Sequence, residues 1–346
     1  MKRIEWIDYG KVFAIYLVIL AHTNLYEPLE AGIYTFHMPF FFFLSGFLFS
    51  FERNPSYKQF VKKRFKQLII PYIWINIIAY VFWFFIASRV GADADIPVVW
   101  CSPIINALLA NGKGMVHDVP LWFFVCLFVI ENLFFIFKKI RVGWSILLIV
   151  IIFGFLNYTF NSIYLPFSIN TALVGIVFYT FGFIYNSKNI YERTTSWIWF
   201  IVSFLSIILI TYYNGKIAMH INYYGNYWLF ILGGIAGIIM LCNLCVCIER
   251  IVGNNKWISY IASNTLLICG FHLLIFSFMK GIMVYVLHIP ITVLDKTIGA
   301  NVLFSFISLL LCLPLIYVVN RYFPFIIGKK RVISLLSYQN PPHKLQ

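Results

Sequence analysis

The chain has 346 residues, 62% of them hydrophobic and only 11% charged. A charged fraction that low argues against an ordinary soluble domain, where it is nearer a quarter, and leaves an all-α integral membrane protein. The net charge of +14 would point a soluble protein towards nucleic acid. Here the basic residues cluster between apolar runs, as in cytoplasmic loops, so no nucleic-acid partner is expected.

Long apolar runs broken by charge or by Pro, Gly and Asn fall near 10–26, 36–51, 68–88, 119–137, 142–157, 169–185, 197–213, 227–248, 258–279 and 298–319. They predict one polytopic domain over residues 1–346, a bundle of about ten transmembrane helices, with a short cytoplasmic tail from about 320. Outer segments then hold only Arg89, Lys113, Lys216, Lys280 and Lys296, a bias that predicts both termini in the cytoplasm. No cleavable signal peptide is expected, because the first run carries Lys11 and His22 and has no small-residue cleavage site.

In the first run, IEWIDYGKVFAIYLVILAHTNLYEP, the 11-residue step from Lys11 to His22 is close to three helical turns. Both side chains then leave one face, about 16 Å apart. Asp8 sits three residues before Lys11, placed to orient it. Ionisable groups at such depth are costly and read as a site. The second run, YTFHMPFFFFLSGFLF, brings His37 to the same outer half.

The segment from Glu52 to Gln67 reads as a basic inner loop leading into VKKRFKQLIIPY, with Lys62, Lys63, Arg64 and Lys66. Two readings stand: a topology determinant lying against anionic lipid, or a seat for a phosphorylated donor. Arg89 to Asp118 forms the longest outer loop, with Asp93, Asp95, Trp100, Asn111 and His117, suited to an interfacial anchor or to a carbohydrate. Span four opens with PLWFFVCLF, placing Trp122 at its outer mouth, and carries Glu131 lower down, either functional or the partner of an inner cation.

Gly233 and Gly237 make a GxxxG step that permits close helix approach. Seven cysteines lie mostly inside spans, which argues against a disulfide framework. Cys242, Cys245 and Cys247 have no nearby histidine, so no metal site is expected. In span nine, WISYIASNTLLICGFHLL, His272 stands about 21 Å above Ile258, close to the depth of His22.

Lys11-x10-His22, with Asp8 before it and FHMPFFFFLSGFL after it, resembles the opening of the acyltransferase-3 family of multi-spanning membrane enzymes. Arg64, seven residues before Pro71, the LWF at Trp122 and the late His272 are similar too. The family more often has arginine at Lys11 and a second one where Gln67 stands. The resemblance implies transfer of an acetyl or other short acyl group, such as succinyl, from cytoplasmic acyl-CoA to a sugar hydroxyl. The acceptor would be a capsule, an exopolysaccharide or its lipid-linked precursor, and the setting a bacterial plasma membrane.

Such a transfer needs a base and a group to hold the oxyanion. His22 is the candidate base or acyl carrier, with Lys11 and Asp8 catalytic beside it. Arg64, Lys62, Lys63, Lys66, His37, Trp122, Glu131 and His272 are candidate substrate-binding residues. Acetyl-CoA is expected as donor, with no metal; membrane lipid is a partner, and a homo-oligomer is compatible with the sequence. The alternative is an exporter of glycan or lipid carrier that performs no chemistry.

Overall fold

The computed structural model describes residues 4–90, 98–110, 112–160, 164–295 and 297–329. Asp93, Asp95 and Asn111 of the long loop, Lys296, and the tail residues Lys330, Arg331 and Lys344 lie outside the described residues. Among the described residues every regular element is a helix. Ten long helices follow in order: α1 Glu5–Ala21, α2 Glu27–Phe47, α3 Tyr57–Ala87, α4 Val119–Lys139, α5 Trp144–Thr159, α6 Ile169–Ser187, α7 Trp197–Asn214, α8 Tyr227–Val252, α9 Thr265–Val286 and α10 Ile298–Tyr322.

Seven of these, α3, α4, α6, α7, α8, α9 and α10, are long and apolar enough to cross a membrane. On length and composition, seven of the about ten expected spans are accounted for among the described residues. With 17 residues α1 is short, α5 has 16, and α2 carries Glu27 and Glu30 in its first turn.

Three boundaries differ from the sequence reading. The basic stretch is no loop: α3 begins at Tyr57 and runs through it. A π-helical turn over Phe65–Ile69 lets it continue, with the Ile70 N–H donating to the Phe65 carbonyl just before Pro71, which has no N–H to give. At the other end of the first run, α1 stops at Ala21, so His22 caps the helix rather than lying inside it. The ninth run breaks at Asn264 into a short helix, Lys256–Ser263, and α9.

The centre of the bundle is α2. Lipid tails are as apolar as leucine, so helices associate in a membrane by close packing rather than by escape from water. Glycines supply that approach here. A Cβ on Gly46 would run into the Tyr179 carbonyl of α6, and one on Gly182 into the Phe43 carbonyl of α2. The Gly233 and Gly237 pair serves the same packing, since added methyls would strike Thr35 and Phe36 of α2. Around these contacts Phe40, Phe42, Phe43, Phe134, Phe178 and Tyr179 are fully buried. By contrast α7 buries only Ser203 and Ile207 and leaves most of its apolar side chains exposed.

Candidate active site

Two cavities open from opposite ends of the bundle. The first, about 450 Å³, is lined by Lys11 of α1, Ser45 and Leu48 of α2, Arg53 and Asn54 after it, Lys63, Arg64 and Gln67 of α3, Glu131 of α4, Asn264, and Lys329. Five cations against one carboxylate give its wall an excess of positive charge, which favours anions.

The carboxylate is committed. Arg64 Nε and Nη2 donate to Oε2 and Oε1 of the buried Glu131, a two-pronged pairing that matches guanidinium to carboxylate. Arg64 Nη1 donates to Gln67 Oε1 at 2.8 Å, so Gln67 serves as a partner of Arg64. The expected seat for the donor therefore divides. Arg64 and Glu131 fasten α3 to α4, and Lys11, Arg53, Lys63 and Lys329 are the other cations on the wall. Lys62 and Lys66 line a neighbouring hollow of about 460 Å³ with Lys63, Gln67 and Lys329. Asp8 is buried one turn from Lys11 and accepts from the Ser259 hydroxyl at 3.2 Å.

The second cavity is a chamber of about 40 Å³ lined by Val18 and His22 of α1, Tyr34, His37 and Met38 of α2, Pro120, Trp122, Met219, His220 and Cys269. His22 and His272 meet edge to face with ring centroids 5.2 Å apart. Tyr34 lies 6.4 Å from the His22 ring and 5.1 Å from that of His37.

Each of the three imidazoles is held the same way. His22 Nδ1 donates to the Val18 carbonyl at 2.7 Å, His37 Nδ1 to that of Ile33 at 2.7 Å, and His272 Nδ1 to that of Cys269 at 2.8 Å. A carbonyl only accepts, so Nδ1 carries the proton and in the neutral ring Nε2 presents a lone pair. The fully buried His272 has no hydrogen-bond partner for Nε2 among the described residues.

His220 roofs the chamber on a fixed turn, Met219–Ile221. Thr171 Oγ1 donates to the Met219 carbonyl at 3.0 Å, and Gly112 lies so close that a Cβ there would crowd the His220 carbonyl. Burial, with His22 and Lys216 nearby, pushes the His220 imidazole down to about 4, so it is neutral near pH 7.

Lys11 and His22 thus face different cavities, and the wall between them is thin. On α2 the lining passes from Met38 to Phe41, on α4 from Trp122 to Phe123, and on α9 from Cys269 to Leu267. Three residues of helix rise about 4.5 Å. Aromatic rings fill the gap: Phe123 stands 5.7 Å from Phe41 and 5.3 Å from Phe42.

The structure gathers His22, His37 and Trp122 around the chamber, sets His272 against His22, and puts Lys11, Lys63, Arg64 and Glu131 on the basic cavity. Tyr34 and His220 are absent from the sequence reading. Tyr34 sits one turn before His37 in the same motif, a spacing that offered a signal; His220 lies in a connecting turn with no motif around it.

A family model described as an acyltransferase domain matches residues 4–321. No curated protein and no solved structure matches the chain.

Proposed function

The chain belongs to the acyltransferase-3 family, and from that premise we propose that it moves an acetyl or other short acyl group from acyl-CoA to a sugar hydroxyl of a surface polysaccharide or its lipid-linked precursor. The basic end of the bundle faces the cytoplasm of a bacterial cell and the histidine end faces out. The observation that carries this reading is the pair of cavities set back to back across one aromatic layer.

Coenzyme A brings phosphates, and the basic cavity offers Lys11, Arg53, Lys63 and Lys329 to them. Lys11 in this reading holds the donor and stands about three turns from the chemistry. The pantetheine arm threads between Phe41, Phe123 and Leu267 to bring the thioester to His22. His22 Nε2, with Nδ1 fixed on Val18, takes the acceptor's proton or carries the acyl group. The small chamber favours chemistry over export: about 40 Å³ holds roughly three water-sized groups, far less than a sugar ring.

The test is sided transfer by the full chain in proteoliposomes. With radiolabelled acetyl-CoA supplied only at the basic end and a glycan acceptor only at the other, label should appear on the acceptor. Label on acceptor only when both substrates share one side, or glycan movement without acetylation, overturns the reading.

A further inference from the structure

Donors and acceptors around the histidine chamber are out of balance. His22, His37 and His272 all spend Nδ1–H on their own helices and present acceptor nitrogens. That suits the removal of a proton from a hydroxyl. It does nothing for the negative oxygen of a tetrahedral intermediate, which needs a donor aimed at it. Lys11 lines the other cavity. On the chamber wall the Cys269 thiol is directed to the Pro120 carbonyl at 4.0 Å, leaving Tyr34, Trp122 and His220 as donors. The Trp122 ring packs on Phe42 and Phe123, towards the partition. The Tyr34 ring lies near both the His22 and His37 rings on the chamber wall, and its hydroxyl makes no hydrogen bond among the described residues.

We infer that the Tyr34 hydroxyl is the hydrogen-bond donor to the oxyanion, a catalytic residue of the acyl transfer. The inference rests on the acyltransferase reading above. The acceptor oxygen bonds to the thioester carbon as its proton passes to His22 Nε2, and the carbonyl pair moves onto oxygen. Tyr34 donates a hydrogen bond to that oxygen and keeps its proton. When the pair returns, the C–S bond breaks with its electrons on sulfur, and the thiolate takes the proton from His22. If His22 Nε2 is acylated first, the same oxyanion forms and the same donor serves it.

The measurement is acetyl transfer from acetyl-CoA by purified full chain, wild type beside variants. Loss of one oxyanion donor typically costs about 10²–10³ in kcat. Tyr34→Phe should lower kcat on that order while leaving KM for acetyl-CoA and coenzyme A binding unchanged. Replacing Tyr34 by 3-fluorotyrosine keeps a hydroxyl that is a stronger donor, so it should match or exceed the wild-type rate.

A Tyr34→Phe enzyme within threefold of wild type overturns the inference, as does equal loss in the fluorinated protein. Loss in Trp122→Phe with Tyr34→Phe unaffected moves the role to Trp122. A wild type that transfers no acetyl defeats the acyltransferase reading instead, which separates the two failures.

Discussion

The two cavities share α1, α2, α4 and α9 and obey different rules. The basic cavity of about 450 Å³ is wide, polar and lined by long side chains, and its one carboxylate is tied to Arg64. The histidine chamber has less than a tenth of that volume, and the rings of His22, His37 and the adjoining His272 are each held by a hydrogen bond to a carbonyl one turn back. Binding a large, flexible anion needs charge and room, whereas moving a proton needs groups whose atoms are fixed within hydrogen-bond reach. On the proposed reading the bundle keeps both functions and must separate them, and the layer of Phe41, Phe42 and Phe123 lies between the two cavities within one helical turn.

The largest expected effect falls on the chamber. His22→Gln removes the nitrogen proposed to serve donor and acceptor, and glutamine takes up no proton near pH 7. Acetylation of the glycan should fall by about 10³ or more, within the range for loss of a general base, with protein abundance unchanged. Measurable acetylation by a well-expressed variant would move the chemistry to His272 or His37 and dissolve the contrast between the cavities.

Next comes the fastening of the basic cavity. Glu131→Ala leaves the Arg64 guanidinium half-buried with no carboxylate, and breaking such a pair typically costs about 3–5 kcal/mol when fully buried, less where Arg64 meets the cavity. The melting temperature of the detergent-solubilised protein should drop and abundance should fall, whereas a pure rise in KM for acyl-CoA would make Glu131 a donor contact after all.

Smaller changes sharpen the assignment of the cations. Lys11→Met should raise KM for acyl-CoA roughly tenfold, the size of one charge-assisted hydrogen bond, and Lys11→Arg should restore most of it, since a point charge suffices there. Loss of kcat alone in Lys11→Met would place Lys11 with the chemistry. The least effect belongs to Lys62→Ala, because Lys62 lines the neighbouring hollow and not the cavity. Its KM should stay within about twofold, as expected of an exposed charge.

Much of this was readable in the sequence. Apolar runs between basic clusters demand helices, because a backbone in lipid must satisfy its own hydrogen bonds. The spacing of Lys11, His22, His37 and His272 put them at two depths, since helical rise is fixed at 1.5 Å per residue. What spacing does not carry is direction across the bundle. That Glu131 belongs to Arg64, 67 positions away, and that Lys11 and His22 face separate cavities, depend on which helix lies beside which. Close approaches such as the glycine contacts of α2 with α6 and α8 belong to that tertiary arrangement. The helical course of the basic stretch turned on a π turn ahead of Pro71, a local hydrogen-bond choice that composition does not announce. His220 reaches the chamber only because a turn between α7 and α8 is pinned by Thr171, a contact that no periodicity encodes.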